Sequence, residues 1–104
     1  MDEIRLFDII DISSPELITT VAMDNPKGMA LDGDLLFVCE KSDGLKILDI
    51  STPAQPKQMY HFEGFETYDA VATGTSLLIV GGSNLYEYDY SDPTNIHEVW
   101  SVKI

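Results

Sequence analysis

One short motif, Asp-x-Ser-x-Pro, constrains the fold of this chain more than any other feature. Its copies are DISSP at 11–15, DISTP at 49–53 and DYSDP at 89–93. The second and third copies begin 40 residues apart. A motif that returns at a fixed spacing indicates a structural unit that is repeated along the chain.

The first copy fits the repeat in two ways. IRLFD at 4–8 can be placed on LKILD at 45–49, with three residues inserted before Ser13. Alternatively, Asp11 matches Asp49 without an insertion, and the repeat shortens to 38 residues. The residues alone leave both alignments open.

A second pair of similar segments lies between the motif copies. MALDGDLLFVCEKSDG at 29–44 resembles AVATGTSLLIVGGSN at 70–84. Gly44 and Asn84 both stand directly before a leucine. Glycine and asparagine are the residues that most readily take a positive φ angle, so we expect a tight hairpin turn at both positions.

Each repeat is predicted to contain four short strands. Turn residues divide the complete middle repeat into strands at 29–32, 35–40, 45–50 and 58–63. No long stretch has helical spacing, and five prolines interrupt the chain. A period near 40 residues with four strands in each unit is typical of β-propeller blades.

The hydrophobic pattern favours stacked blades over a sheet with one solvated face. A half-exposed strand alternates apolar and polar residues. LLFVC at 35–39 and LLIV at 77–80 are instead continuous apolar runs. We therefore expect both faces of these strands to be covered, as they are between neighbouring blades.

The motif itself is interpreted as a turn device. Asp49 ends a strand and can accept hydrogen bonds from N–H groups of the turn, and the Ser51 hydroxyl can do the same. Pro53 restricts φ and removes a backbone donor. The alternative is a nucleophilic or metal-binding Asp/Ser pair. Repetition disfavours it, because a catalytic group is rarely required at three equivalent turns.

The string LKILDISTP at 45–53 resembles the LVIVD repeat of bacterial proteins, and IDISSP at 10–15 and YDYSDP at 88–93 are similar. The resemblance implies a β-propeller, often at the cell surface, and supplies no catalytic residues. This chain departs from the apolar pattern of the family at three positions. They are Lys46, Tyr86 and Glu87. We expect the strands that carry them to be less buried.

The predicted fold is all-β, with about two and a half four-stranded antiparallel β-propeller blades. The half blade is 1–28 and the blades are 29–63 and 68–104. Closed propellers need four or more blades. Either the chain is part of a larger propeller, or oligomerisation supplies the missing neighbours.

Charge excludes several classes of partner. Eighteen acidic residues against six basic ones give a net charge of −12. Such a field repels phosphates and anionic lipids, so nucleic acid and membrane surfaces are not expected partners. No apolar run approaches the roughly 18 residues needed to span a bilayer, so membrane insertion is not expected either. Acidity favours solubility, with an acidic docking surface as the alternative.

The N-terminal MDEIRLFD is not a signal peptide, so we expect a cytoplasmic location unless a leader precedes this segment.

The residues that usually carry chemistry form no recognisable catalytic or metal-binding pattern. His61 and His97 are expected at nearly equivalent, exposed places on outer strands. Cys39 lies in an apolar run and is expected to be buried and unreactive. DGD at 32–34 lacks the later ligands of a calcium loop. We therefore expect no catalytic residues, no metal, no cofactor and no enzymatic activity.

Two sets of residues are candidates for binding. Propellers usually bind through the loops of one face, so the predicted ligand contacts are Asp24, Asn25, Lys41, Glu66 and Tyr68. A second set, on one face of its strand, is predicted to pack on the next blade or on a partner chain. It consists of Tyr86, Tyr88 and Tyr90.

These observations favour a non-enzymatic propeller scaffold. Its predicted partners are another protein, further blades of the same propeller, or a second copy in a homo-oligomer. The alternative is a carbohydrate-binding propeller, in which Phe65, Tyr68 and the loop acids hold a sugar.

Overall fold

The structure, a computed structural model, describes residues 2–8, 16–23, 27–52 and 54–104, with the backbone alone for the first two ranges. Within these ranges there is no helix long and apolar enough to cross a membrane. The same ranges contain ten β-strands: β1 Asp2–Asp8, β2 Glu16–Met23, β3 Gly28–Asp32, β4 Leu35–Cys39, β5 Leu45–Asp49, β6 Lys57–Phe62, β7 Asp69–Ala72, β8 Ser76–Gly81, β9 Asn84–Asp89 and β10 His97–Lys103.

The strands form three antiparallel sheets. β1 and β2 pair with each other, β3-β4-β5-β6 form the first blade, and β7-β8-β9-β10 form the second blade. In both blades each strand pairs with its neighbour in the chain. The predicted all-β architecture of four-stranded blades is confirmed for the described residues, whereas ring closure stays a prediction.

A β-bulge occurs at the same place in all three sheets. Between the third and fourth strands of a unit, the register skips Ile18 on β2, Met59 on β6 and Val99 on β10. Aligning these bulges matches Asp8 with Asp49, so the alignment with the insertion is the correct one. The β-bulge shared by the three sheets thus decides between the two alignments that the sequence left open.

The main core lies between the two blades. Phe37 and Ile47 of the first blade and Leu77 and Ile79 of the second blade are fully buried in it. Each such side chain contributes roughly 1.5–3 kcal/mol through removal from water. This contact is therefore what positions the second blade on the first.

The inner strands β4 and β5 of the first blade are buried on both faces, as the continuous apolar run at 35–39 predicts. Leu36, Val38 and Leu48 form a second cluster on the face that points away from the second blade. The same prediction is wrong for β8, because Leu78 is half-buried and Val80 is exposed. No described sheet covers that face of β8.

Lys46 corrects a sequence expectation. It was expected to mark a less buried strand, but only 9% of the residue is exposed. Its Nζ lies 2.8 Å from Oε2 of the fully buried Glu40. The neighbouring carboxylate compensates the charge, which is the condition under which a lysine is tolerated inside a protein. The other two departures, Tyr86 and Glu87, are half-buried as expected.

The hairpins after the second strands are not equivalent. Gly44 has a φ angle of +82°, and a Cβ there would collide with the Phe62 carbonyl oxygen. Asn84 does not share this conformation, because it already pairs with Gly81 inside the sheet. The positive φ of the shorter β8–β9 turn falls on Gly82 instead. The predicted equivalence of Gly44 and Asn84 is therefore wrong.

Candidate functional site

The Asp-x-Ser-x-Pro turns are held by hydrogen bonds to the aspartate. Asp49 Oδ1 accepts the Ser51 N–H at 2.8 Å. Asp89 Oδ1 accepts the Ser91 N–H at 2.8 Å and the Ser91 hydroxyl at 2.7 Å. The serine hydroxyl at this turn donates to the carboxylate, so the expectation that serine accepts turn N–H groups is wrong for Ser91. Pro53 lies outside the described residues.

These bonds shift both carboxyl groups in the same direction. The pKa of Asp49 is lowered by the backbone N–H and side chain of Ser51. The pKa of Asp89 is lowered by the hydroxyl and backbone N–H of Ser91. Both carboxylates are thus stabilised in the ionised form as acceptors of their own turns, which supports the structural interpretation of the motif.

The motif of the second blade also contacts the first blade. The Tyr60 hydroxyl, on β6, donates to the Pro93 carbonyl at 2.9 Å and accepts the Ile96 N–H at 3.3 Å. A single side chain therefore joins the outer strand of one blade to the motif turn of the next. The sequence carried no signal for this contact, because it joins residues 33 and 36 positions apart.

Thr67 joins the blades at the opposite end of the strands. Its backbone forms an antiparallel bridge with Lys41, with N–H to carbonyl distances of 2.8 and 2.9 Å. Its buried hydroxyl accepts the Glu40 N–H at 2.9 Å and donates to the Gly44 carbonyl at 2.5 Å. Lys41, a predicted ligand residue, thus has a structural backbone role with a φ of +53°. Sequence reasoning missed Thr67.

A polar cleft of about 350 Å³ lies beside this junction. Glu66 Oε2 accepts the Tyr68 hydroxyl at 2.9 Å, and Asn84 Nδ2 donates to the Tyr86 hydroxyl at 3.1 Å. The hydrogen bond to Glu66 raises the pKa of Tyr68. Residues lining the cleft include Gly64, Phe65, Glu66, Gly82, Asn84 and Tyr86.

The predicted ligand residues are only partly brought together. Glu66 lines the cleft and Tyr68 is bonded to it. Lys41 does not line it, and Asp24 and Asn25 lie outside the described residues. Whether any of these residues binds a ligand stays a prediction.

The three tyrosines of β9 and its following turn lie on the face that packs against the first blade. Tyr88 and Tyr90 are 5% and 4% exposed. Their rings contact Phe62 and Phe37, with centroid distances of 5.0 and 4.9 Å. Burial raises the pKa of Tyr88 to about 12. The expectation that this face packs on the next blade or a partner is corrected, because the preceding blade already covers it.

Tyr86 lies at the edge of the same face. It is half-buried, and its ring meets Phe65 edge-on at 4.8 Å. Phe65 also stacks on Tyr88, with centroids 6.1 Å apart. The loop between the blades is therefore anchored by an aromatic side chain, and part of Tyr86 stays accessible from the cleft.

The two histidines occupy different environments. His61 is half-buried, with Nε2 at 2.6 Å from the Asp43 carbonyl oxygen, whereas His97 is exposed. His61 lies opposite Lys46 and His97 opposite Asp89, so their expected equivalence is wrong. In the described part of the chain, no three His, Cys, Asp or Glu side chains are grouped as metal ligands would be.

A second, larger groove of about 460 Å³ lies at the motif end of the strands. Asp32, Asp34 and Asp49 contribute carboxylates to its wall, and Met59 and Leu35 contribute apolar surface. Asp32 accepts the Tyr90 hydroxyl at 2.6 Å. This carboxylate thus already serves the contact between the blades.

One face of the second blade is not covered by any described part of the chain, and we call it the open face. Exposed fractions on it are 60% for Val71, 43% for Val80, 40% for Trp100 and 48% for Val102. The strand register places these residues on one side with half-buried Leu78, Leu85 and Glu87.

Glu87 is the polar centre of the open face. Its carboxylate accepts the Trp100 indole N–H at 3.0 Å and the Ser76 hydroxyl at 3.3 Å. The carboxylate thereby satisfies the one donor of the indole ring in the isolated chain.

Comparison with known families identifies one repeat. The profile of the LVIVD repeat matches residues 25–63, the segment that contains β3 to β6. A search of curated proteins gave no match. The matched segment includes LKILDISTP, on which the resemblance was based. The chain therefore contains an LVIVD repeat folded as a four-stranded blade, and the expected family resemblance is confirmed.

Proposed function

We propose that the chain is a non-enzymatic propeller repeat scaffold that binds protein. The side chains that sequence reasoning considered for chemistry are used in the architecture. Asp49 and Asp89 serve their turns, and Tyr90 bonds to Asp32 between the blades. These uses support a structural role for the repeats.

The open face is the surface through which we propose that the chain binds its protein partner. Four strands with the usual spacings present a surface on the order of 300 Å². Its exposed members, Val71, Val80, Trp100 and Val102, are apolar. The largest contiguous apolar patch on a folded protein is often functional, and the open face is our candidate for that role.

Site-specific photocrosslinking tests this function. A photoreactive phenylalanine analogue at Val80 should form a discrete protein adduct in an extract of the source cells. The same analogue at Lys57, an exposed position on β6, is the matched control. The partner, identified by mass spectrometry and purified, should bind the chain at least about tenfold more weakly after Val80→Glu. Equal adducts at both positions, or an unchanged affinity, would contradict the proposal.

A carbohydrate-binding function is the second candidate, favoured by the polar cleft. Carboxylate, amide and hydroxyl groups of Glu66, Asn84 and Tyr86 converge there next to the Phe65 ring. A few placed polar groups beside an aromatic surface are typical of small-ligand sites. Binding on a glycan array that is lost in Tyr68→Ala but kept in Val80→Glu would select this function over the first. An array without signal would reject it.

We also propose a cell-surface location, on the basis of the family resemblance. A membrane-impermeant amine reagent should then label Lys57 and Lys103 on intact cells. Labelling that appears only after lysis would contradict this location.

A further inference from the structure

The centre of the open face differs from the centre of the face on which the first blade receives the second. On the first blade this central position is Ile47, which is fully buried beneath the second blade. The residue 40 positions further along is Glu87, which lies opposite Leu78 and Trp100 on the open face. A carboxylate therefore stands where the covered face has an aliphatic side chain.

Apolar side chains surround this carboxylate. The exposed members of the open face are all hydrophobic: Val71, Val80, Trp100 and Val102. A partner that covers them also removes the Glu87 carboxylate from water. Removal of a carboxylate from water costs free energy unless a cation compensates its charge.

The first blade shows how this chain accommodates a buried carboxylate. Glu40 is fully buried, and the Lys46 ammonium lies 2.8 Å from its Oε2. In the described part of the chain, Glu87 receives only neutral donors, the Trp100 indole N–H at 3.0 Å and the Ser76 hydroxyl at 3.3 Å. A covered Glu87 thus requires a cation that the partner supplies.

The surroundings of Glu87 suit an arginine. Each of its carboxylate oxygens accepts one bond from the chain, which leaves about two of the four lone-pair sites for a partner. The Trp100 ring is 40% exposed, and indole is the aromatic group that attracts cations most strongly. A guanidinium can donate two N–H groups to a carboxylate and also stack on an aromatic ring, whereas an ammonium is a compact point charge.

We propose that the open face binds a protein segment in which an arginine is flanked by apolar side chains. The guanidinium pairs with the Glu87 carboxylate beside the Trp100 ring, and the apolar neighbours cover Val71, Val80 and Val102. The indole keeps its bond to Glu87, so docking leaves neither group without a partner. This inference rests on the proposed protein-binding function and adds the chemistry of the partner.

Two other occupants do not supply the cation. A second copy docked face to face would bring two Glu87 carboxylates together, and each chain carries a net charge of −12. A blade that docked as the second docks on the first would present uncharged side chains like those of Leu77, Ile79 and Tyr88. The negative charge of the chain instead favours encounter with a basic segment.

A displayed library of random peptides, with the full chain as the target, tests this partner chemistry. Clones are kept only if they bind the chain and lose binding in Val80→Glu. These clones should share an arginine between apolar residues. Synthetic peptides made from them should shift the emission of Trp100, the single tryptophan of the chain, and reduce its quenching by acrylamide.

Replacement of the peptide arginine by citrulline removes its charge but keeps its length and planar end group. This replacement should weaken binding to the parent chain at least about tenfold. In Glu87→Gln, which keeps an acceptor for the Trp100 indole, the same replacement should change the affinity by less than about twofold. Circular dichroism checks that the variants retain their sheets.

Glu98→Gln is the matched control for the loss of a negative charge. Glu98 is exposed and pairs with Tyr88, so it lies on the reverse face of the same sheet. The citrulline effect should remain in this variant at its size in the parent chain.

Four outcomes would overturn the inference. Val80-dependent peptides without arginine, or a citrulline effect that is equal in the parent chain and Glu87→Gln, would reject the cation while upholding protein binding at this face. A doubled mass of the chain that is lost in Val80→Glu would identify a second copy as the occupant. A selection without any Val80-dependent clone would reject the inference, and photocrosslinking at Val80 would then test the protein-binding function independently.

Discussion

The two blades share their construction but differ in burial. Both have the same strand order, the same bulge before the fourth strand and the same aspartate bond at the motif turn. Yet β4 is buried on both faces, whereas Val80 on β8 is exposed. In a stacked repeat, the burial of a strand thus depends on the neighbouring repeat as much as on its own residues.

The blades also differ in how they fill equivalent positions. The first blade places the buried pair of Glu40 and Lys46 where the second has Gly81 and Tyr86. A Cβ at Gly81 would collide with the Glu66 carbonyl oxygen. The loop before the second blade therefore occupies space that a side chain takes in the first, which shows that one repeat geometry accepts an ion pair or close backbone packing.

The largest expected effect tests the difference in burial with a matched pair of leucines. Leu45→Ala removes a fully buried side chain and should lower the free energy of unfolding by about 2–5 kcal/mol. Leu85→Ala, at the equivalent half-buried position, should cost about 1 kcal/mol, because less surface is returned to water. Urea denaturation of both variants measures the difference. Equal losses would show that the open face is covered in solution.

The second effect concerns the loop junction between the blades. Thr67→Val keeps the shape of the side chain but removes the buried hydroxyl that accepts the Glu40 N–H and donates to the Gly44 carbonyl. The Glu40 N–H keeps its bond to the Gly44 carbonyl at 2.9 Å, so we expect a loss of about 1 kcal/mol in stability. Thr73→Val is the control, since Thr73 is exposed. A loss in Thr67→Val no greater than in the control would indicate that the junction opens in solution.

The third effect concerns the hydrogen bonds by which Tyr60 joins the first blade to the motif turn of the second blade. Tyr60→Phe removes the hydroxyl that joins β6 to Pro93 and Ile96, and should lower the unfolding free energy by about 1 kcal/mol. Tyr68→Phe, whose hydroxyl is exposed and bonded only locally to Glu66, should change it by at most about 0.5 kcal/mol. Thermal unfolding of the two variants decides, and identical midpoints would remove Tyr60 from the blade contact.

The smallest effect is the pH dependence of the motif turn. Hydrogen bonds from Ser91 lower the folded-state pKa of Asp89, so its stabilising contribution is present above the unfolded pKa of about 3.9 and is lost as pH falls through the folded value. Asp89→Asn should therefore flatten the decline of the melting temperature in the acid range. The turn that carries Asp89 is exposed, so the change in melting temperature will be modest. A parallel decline in Asp89→Asn and the parent chain would contradict this role.

Local patterns in the sequence were sufficient to predict part of the fold, but they predicted few of the residues at the candidate sites. The strand ends of the first blade differ from the prediction by one residue at most, because alternation and turn residues act over a few positions. Glu66 and Tyr68, at or beside the polar cleft, were predicted as ligand residues because propellers usually bind through the loops of one face. Thr67 and Tyr60 were not, because their partners lie far away in the chain.

By itself, the sequence determined the repeat, its strands and its motif turn, in which an aspartate accepts a hydrogen bond from a residue two positions further on. Only the tertiary structure decided which alignment of the first copy is correct, why Lys46 can be buried, and that the face of Tyr88 is covered while that of Trp100 is open. The physical reason is range: hydrogen bonds within a turn join near neighbours, whereas burial and charge compensation depend on residues that only the stacking of blades brings together.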